Sequence, residues 1–226
     1  MRDVLRLTPA VRMGLSIGIA TGLYAISFGA LGVAAGLTVM QTCALSLLMF
    51  TGGSQFAFVG VIGGGGSWGA ATTAASLLGV RNAVYGVAMN ELLRPRGLTR
   101  PVMAQLTIDE STAVASSQVD DEEQKRGFWA AGLAVYVFWN LFTLVGAMAG
   151  AQLGDPAAWG LDGAAVAAFL ALLWPRLKGR AALEVAVLCA VVTLLVTSIV
   201  PPGIPIVLAA VVAVGLAWLR RRQVSA

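Results

Sequence analysis

The sequence predicts an all-α protein: a polytopic membrane helix bundle with about six spans and one re-entrant or broken helix hairpin. Two observations predict this fold class. Of the 226 residues, 58% are hydrophobic and only 12% are charged, which is about half the charged fraction of an ordinary soluble domain. The hydrophobic residues also form long runs with almost no charge, as helices that cross a bilayer do. Barrel strands would alternate polar and apolar residues, and these runs do not.

Six apolar runs are expected to cross the membrane as helices, because a bilayer cannot satisfy exposed backbone groups. They are Met13–Gly36, Ser67–Leu93, Phe128–Leu153, Leu161–Trp174, Leu183–Val200 and Ile204–Leu219. The first run is longer than the apolar core of a signal peptide, so we interpret it as a retained span. An acidic run before the third, Asp120–Glu123, indicates the solvated start of a helix. We interpret residues 1–226 as a single transmembrane domain.

One apolar segment, Leu37–Gly66, is interrupted near its middle by Thr51-Gly52-Gly53-Ser54-Gln55. The segment is shorter than the about 40 residues that two full crossings need. Glycines at the interruption allow a tight reversal of the chain. We therefore predict a hairpin here that is either re-entrant or a broken helix, in place of an ordinary span.

Positive charges indicate the side of the membrane on which this hairpin opens. Lys and Arg near the ends of spans favour the cytoplasm. They form four clusters: Arg2/Arg6/Arg12, Arg94/Arg96/Arg100 with Lys125/Arg126, Arg176/Lys178/Arg180 and Arg220/Arg221/Arg222. All four clusters are cytoplasmic if the hairpin enters and leaves from the outer side, whereas the last three lie outside if it crosses once. The first arrangement fits every cluster and places both termini in the cytoplasm and the loop Pro201-Pro202-Gly203 outside.

The glycine break has two interpretations that the residues alone leave open. Broken helices often form transporter binding sites, because the N-terminus of a half-helix favours an anion. Small residues in a membrane helix also allow neighbouring helices to pack closely. The first interpretation makes Gly52, Gly53, Ser54 and Gln55 candidate binding residues.

Three further positions carry charge or hydrogen-bonding groups where the membrane is expected. Arg81 lies inside a span, with Asn82 and Tyr85 able to share its helix face. It is either functional or extends to the cytoplasmic headgroups. Asp109 and Glu110 either pair with Arg81, bind an ammonium group or carry a coupling proton, or they are carboxylates favoured at a helix N-terminus.

Composition excludes several classes of function. The chain has no histidine, which removes Ser/His and Cys/His catalysis and histidine metal sites. The net charge of +4 is better explained by membrane orientation than by nucleic-acid binding. Cys43 and Cys189 lie in apolar segments and are expected to be structural thiols. We predict no catalytic residue, no metal and no cofactor, and the protein is not expected to be an enzyme.

Four motifs in order along the chain resemble the AzlC (YgaZ-like) family, the large subunit of branched-chain amino acid exporters. They are Ile26-Ser27-Phe28-Gly29, Phe50–Ala57, Val80–Gly86 and Leu106–Glu110. The second is similar to Phe-Ala-Gly-Ala-Ala-Gln-Phe-Ala in the family, the third to Leu-Arg-His-Leu-Leu-Tyr-Gly and the fourth to Leu-Thr-Asp-Glu. The likeness runs from about Met13 to Leu219. Asn82 stands where the family usually has histidine, and Ile108 interrupts the last motif.

The resemblance implies a secondary transporter of a bacterial inner membrane that exports valine, leucine, isoleucine and often methionine. It also implies a small hydrophobic partner subunit of the AzlD type. The expected substrate-binding residues are Phe28, Gly52, Gly53, Ser54, Gln55, Phe56, Arg81, Asn82 and Tyr85, with Phe58 as a further pocket wall. Without histidine, Asp109 or Glu110 is expected to carry the coupling proton. The alternative is a passive channel or a transporter for another small solute, and an intramembrane enzyme is disfavoured.

Overall fold

The computed structural model describes residues 7–153, 170, 173–174 and 177–224, and its described part contains helices and no strand. The all-α class is therefore confirmed. The helices in chain order are α1 Pro9–Ala34, α2 Val39–Leu48, α3 Gly53–Gly63, α4 Trp68–Leu93, α5 Thr99–Leu106, α6 Asp109–Ser116, α7 Asp121–Leu153, α8 Arg180–Thr197 and α9 Ile204–Val224.

Three of the described helices, α1, α7 and α8, are long and apolar enough to cross a membrane. Helices α2, α3 and the apolar part of α9 are shorter. Helix α4 is as long as α1, at 26 residues, but it carries Arg81 near its middle and Glu91 near its end. The predicted span Leu161–Trp174 lies almost wholly outside the described residues, so the expected number of six spans stays a prediction.

Helices α1 and α7 begin earlier than their apolar runs because polar residues cap them. The Thr8 hydroxyl accepts a hydrogen bond from the Val11 amide at 3.4 Å, with Pro9 as the first helical residue. At α7, the Asp120 carboxylate accepts from the amides of Glu122 and Glu123 at 3.1 Å each. The acidic run is thus a helix start, as predicted.

Glycines bring α1 and α7 into close contact along most of their lengths. A Cβ added at Gly29 of α1 would overlap the carbonyl oxygen of Thr143, and one at Gly146 of α7 would overlap that of Ile26. Gly14, Gly18 and Gly22 face α7 in the same way. Small residues on one face of each helix let the two backbones approach, as in other membrane helix pairs.

The predicted break in Leu37–Gly66 is present, between α2 and α3. The chain ends α2 at Leu48 and restarts as a helix at Gly53, with Gly52 at φ +60°. The buried Gln55 side chain donates to the carbonyl oxygens of Leu45 and Ser46 at 3.2 and 3.3 Å. The Leu45 carbonyl also accepts from the Met49 amide at 2.9 Å, whereas the Ser46 carbonyl is one of the last of the helix, which lack intrahelical partners. Gln55 therefore links the start of α3 to the end of α2.

A second break, at Thr107 and Ile108, separates α5 from α6. The Ser111 hydroxyl accepts from the Ile108 amide at 3.1 Å and donates to the Leu106 carbonyl at 2.6 Å. One buried serine thus links the end of α5 to the start of α6. Helices α5 and α6 are thus a second pair of short helices joined at a break.

The C-terminal helices pack against each other and touch the rest through α4. Glu184 of α8 forms an ion pair with Arg220 of α9. The Cys189 thiol donates to the Ala209 carbonyl at 3.3 Å. Cys43 and Cys189 are both free and half-buried in this structure. No residue of α8 is fully buried, so much of the apolar surface of this helix is exposed.

Candidate functional site

The two breaks face each other across one cavity, which also borders α1, α4 and α7. The first break contributes Phe50, Thr51, Gly52 and Gly53, and the second break contributes Ile108, Asp109 and Glu110. The rest of the wall is Arg81 from α4, Thr21 and Tyr24 from α1, and Val135 and Trp139 from α7. The chain therefore brings together residues more than 100 positions apart at the places where two helices are interrupted. Irregular backbone at membrane depth is tolerated where it lines such a cavity.

The cavity is small in this conformation. Its volume is about 20 Å³, which is room for about one water molecule. An amino acid needs several times that space, so a substrate enters only when the surrounding helices move apart.

Arg81 of α4 joins the two breaks. Its Nη1 atom lies 2.8 Å from Oδ2 of Asp109, at the start of α6. Its Nη2 atom donates to the Thr51 carbonyl, in the first break, at 3.4 Å. The side chains of Arg81 and Asp109 are 29% and 11% exposed. The guanidinium group thus contacts both breaks, and the predicted pairing with one of the two carboxylates is with Asp109.

Asn82 and Tyr85 strengthen the attachment of α4 to the second break. The Asn82 amide donates to the Thr107 carbonyl at 3.2 Å. The Tyr85 hydroxyl donates to Oδ1 of Asp109 at 2.8 Å. Neither side chain lines the cavity. Both therefore position the second break, and Asp109 is held from two sides.

Glu110 lines the same cavity beside Asp109, in the first turn of α6. Arg81 is the basic side chain on the cavity wall, and Asp109 engages it. Within the described residues Glu110 forms no ion pair. Tyr24 of α1 lines the same cavity as both carboxylates. Of the two carboxylates in the cavity, Asp109 is thus neutralised by Arg81, whereas Glu110 either stays negatively charged or binds a proton.

The N-terminus of α3 opens towards the cavity through Gly52 and Gly53. No side chain caps this helix end. The amides of Gln55 and Phe56 donate to the Gly52 carbonyl at 3.0 and 3.2 Å. The preceding amides, of Gly53 and Ser54, have no acceptor in the part of the chain that is described. Such unpaired N–H groups, together with the helix dipole, favour an anion.

An aromatic cluster forms the wall opposite α4. The ring centroid of Trp139 lies 5.1 Å from that of Tyr24, 5.9 Å from Phe28 and 6.3 Å from Phe56. Tyr24 and Trp139 line the cavity, whereas Phe28 and Phe56 lie behind them. Phe58, expected as a pocket wall, packs instead against Trp68, with centroids 5.7 Å apart.

The sequence-predicted binding residues thus fall into two groups. Gly52, Gly53 and Arg81 line the cavity together with both acidic residues. The others support it from behind: Phe28, Ser54, Gln55, Phe56, Asn82 and Tyr85.

Sequence reasoning missed Tyr24 and Trp139. A signal was available, since tryptophan and tyrosine in membrane helices usually lie at the interfaces, and these two are mid-helix.

This arrangement suits a dipolar solute. Unpaired amides at the start of α3 offer a site for negative charge, and Glu110 offers one for positive charge. Tyr24, Val135 and Trp139 supply apolar surface between them. Among the described residues, no group of three His, Cys, Asp or Glu side chains is placed to hold a metal ion.

Comparison with known proteins agrees with the motifs. The family profile described as AzlC protein matches residues 16–153, more than half of the 226-residue chain. The match ends well before Leu219, so the expected likeness of the C-terminal helices is not part of it. No curated protein matches the chain, and no solved structure does. The AzlC family is associated with membrane transport of branched-chain amino acids. The chain belongs to the AzlC family and is a membrane protein of a transporter family, not of an enzyme family.

Proposed function

We propose that this protein is a secondary transporter that exports the branched-chain amino acids valine, leucine and isoleucine, with methionine as a further substrate. The observation that carries the proposal is the cavity between the two broken helices. An uncapped helix N-terminus lies on one side of it, and Glu110 lies on the other. An amino acid is a zwitterion, so its carboxylate can lie at the helix N-terminus while its ammonium group lies at Glu110. Membership of the AzlC family points to the same substrates.

The apolar part of the wall fits the side chain of such a substrate. Tyr24, Val135 and Trp139 present rings and a branched methyl pair. Apolar contact of this kind distinguishes one methylene group only weakly, by a factor of about 10 to 200. Valine, leucine and isoleucine should therefore share the site, while a lysine side chain would bury a charge there.

Glu110 is the group we assign to proton coupling. Asp109 accepts a hydrogen bond from Tyr85 and pairs with Arg81, so its charge is satisfied within the protein. Glu110 has no such partner among the described residues. It can hold either the substrate ammonium or a proton, and this exchange links export to the proton gradient.

A small AzlD-type subunit is proposed as the partner in the lipid bilayer. Helix α8 has no buried residue, and α4 exposes Val80, Val84 and Val87. Lipid or a hydrophobic partner covers such surfaces. We place the complex in the bacterial inner membrane as a multi-pass protein with both termini in the cytoplasm, in accord with the positive clusters.

Counterflow of radiolabelled leucine in proteoliposomes tests the proposal, with this chain alone and with its small partner. We expect accumulation that excess valine blocks and excess lysine does not. A proton gradient should drive net leucine flux, and Glu110→Gln should lose that drive and also weaken leucine binding, because it removes the counter-charge of the ammonium group. No leucine uptake with or without the partner would refute the amino-acid proposal. Uptake that ignores a collapsed proton gradient would favour the passive channel.

A further inference from the structure

We propose that the substrate carboxylate is bound by the N-terminus of α3 together with the indole N–H of Trp139, and not by Arg81. This inference rests on the proposed function, because it names the atoms that would hold one end of the amino acid. It assigns to Trp139 a binding role that none of the sequence motifs indicates.

Arg81 is the less suitable anion site because its charge is already used. Asp109 lies 2.8 Å from its Nη1 atom, and the Thr51 carbonyl accepts from its Nη2 atom at 3.4 Å. A substrate carboxylate at Arg81 would displace Asp109 and leave that carboxylate unpaired beside Glu110. Removing one member of a buried ion pair is strongly unfavourable.

The start of α3 offers donors that no charge within the described part of the chain has already matched, whereas Arg81, although its Nε atom is unpartnered there, is already paired with Asp109. The amides of Gly53 and Ser54 have no acceptor in the described part of the chain, and no side chain caps the helix. Gly52, at φ +60°, adopts a backbone conformation that side-chain-bearing residues rarely take. A Cβ at this glycine would point towards Trp139, 3.9 Å from its Cη2 atom. A glycine therefore keeps the space between the helix end and the indole open.

Trp139 supplies the second, independent observation. Its side chain is 1% exposed, it lines the cavity, and its Nε1 atom has no hydrogen-bond partner among the described residues. A buried indole N–H normally finds a partner, because leaving it unpaired costs the full desolvation penalty. Tyr24, Phe28 and Phe56 surround the ring and limit its rotation, so it cannot turn to find a partner elsewhere.

The Thr51 hydroxyl adds a third donor at the same place. Thr51 lines the cavity next to Gly52, and its Oγ1 atom is also without a partner in the described region. Two backbone amides, an indole N–H and a hydroxyl, all without partners among the described residues, thus lie at or next to the wall of the same cavity. A carboxylate has about four acceptor positions on its two oxygens, which matches this number of donors.

Equilibrium binding to the purified protein, with its small partner where that is needed for stability, tests the assignment. Radiolabelled leucine is the probe, and leucinol, which keeps the ammonium group and side chain but lacks the carboxylate, is the competitor. Trp139→Phe and Thr51→Val each remove one donor and keep much of the shape. Trp129→Phe, on the same helix but away from the cavity, is the matched control.

We expect Trp139→Phe to weaken leucine binding about tenfold or more, as loss of a hydrogen bond to a charged group does. Thr51→Val should weaken it less, and both variants should bind leucinol as the wild type does. Equal loss of leucine and leucinol would reduce Trp139 to a packing residue and overturn the proposal. Unchanged leucine binding in both variants would overturn it as well. If the wild type binds neither ligand, the proposed function fails first, and this assignment fails with it.

Discussion

At the scale of single residues, the Arg81–Asp109 pair is the main connection between α4 and the second break. Tyr85 adds a hydrogen bond to the same carboxylate at 2.8 Å. Most of the pair is withdrawn from solvent, so each charge depends on the other. Replacing one partner leaves a poorly solvated charge, whereas replacing both removes the requirement.

A double-mutant cycle on this pair gives the first prediction. Arg81→Gln and Asp109→Asn should each lower the melting temperature of the purified protein in detergent. The double variant should lose less unfolding free energy than the two single variants lose together. The difference, which is the coupling free energy, should be about 1 kcal/mol or more.

The exposed pair Lys125–Glu122, at 3.8 Å, is the matched control and should show coupling near zero. Additive losses at Arg81 and Asp109 would mean that their ion pair contributes no stability and that other contacts attach α4 to the second break.

The residues of the candidate site differ in how well the sequence predicts their contacts. Arg81 and Tyr85 stand out because they are four apart on a membrane helix, and the nearby acidic pair offers a partner. Gln55 belongs to a recognisable motif, yet its contact with the end of α2 depends on the angle of the break. Trp139 stands out in the sequence only by its mid-helix position, and the fold alone reveals that its N–H is unpaired among the described residues.

At the scale of elements, the α1–α7 contact depends on glycines that leave no room for a methyl group. Replacing glycine by alanine should therefore change the stability differently at two helical positions. Gly146→Ala would place its methyl group against the Ile26 backbone, and we expect a loss of about 1–3 kcal/mol from overpacking. Gly215→Ala, in α9, meets nothing within 4 Å and should be neutral or slightly stabilising.

Thermal unfolding in detergent, followed by circular dichroism, measures both glycine variants. Equal melting temperatures for Gly146→Ala and the wild type would mean that the backbones of α1 and α7 do not touch at this position.

The two breaks differ in how predictable they are. The first follows from Thr51-Gly52-Gly53, because paired glycines inside an apolar run stand out from their surroundings. The second contains no glycine, and α5 and α6 are each 8 residues long, too short to show a helical period. It depends instead on Ser111, whose hydroxyl pairs with backbone groups that the break leaves free.

At the scale of the whole molecule, the structure presents a closed site. The breaks meet around a cavity of about 20 Å³, and α4 joins both of them. Transport requires access from each side of the membrane in turn, so the two breaks must separate as the site opens. The Arg81–Thr51 hydrogen bond, at 3.4 Å, is the weaker of these two contacts of Arg81, so we expect it to break while the Arg81–Asp109 ion pair and the glycine-packed α1–α7 contact persist.

The orientation of the chain in the membrane is the last prediction, and it depends on the first break. If residues 37–66 enter and leave from the outer side, the loop between α6 and α7 is cytoplasmic and the loop after α8 is outside. A single crossing reverses both. Val119 and Ile199 lie in these two regions and are 99% and 80% exposed.

Single cysteines at these positions report the side directly. In a variant with Cys43 and Cys189 replaced by serine, Ile199→Cys should react with a membrane-impermeant maleimide in intact cells. Val119→Cys should react only after the cells are permeabilised. The reverse pattern would mean that residues 37–66 cross the membrane once. It would place three of the four positive clusters outside, against the charge rule, and the half-helices would then form one interrupted span instead of a hairpin.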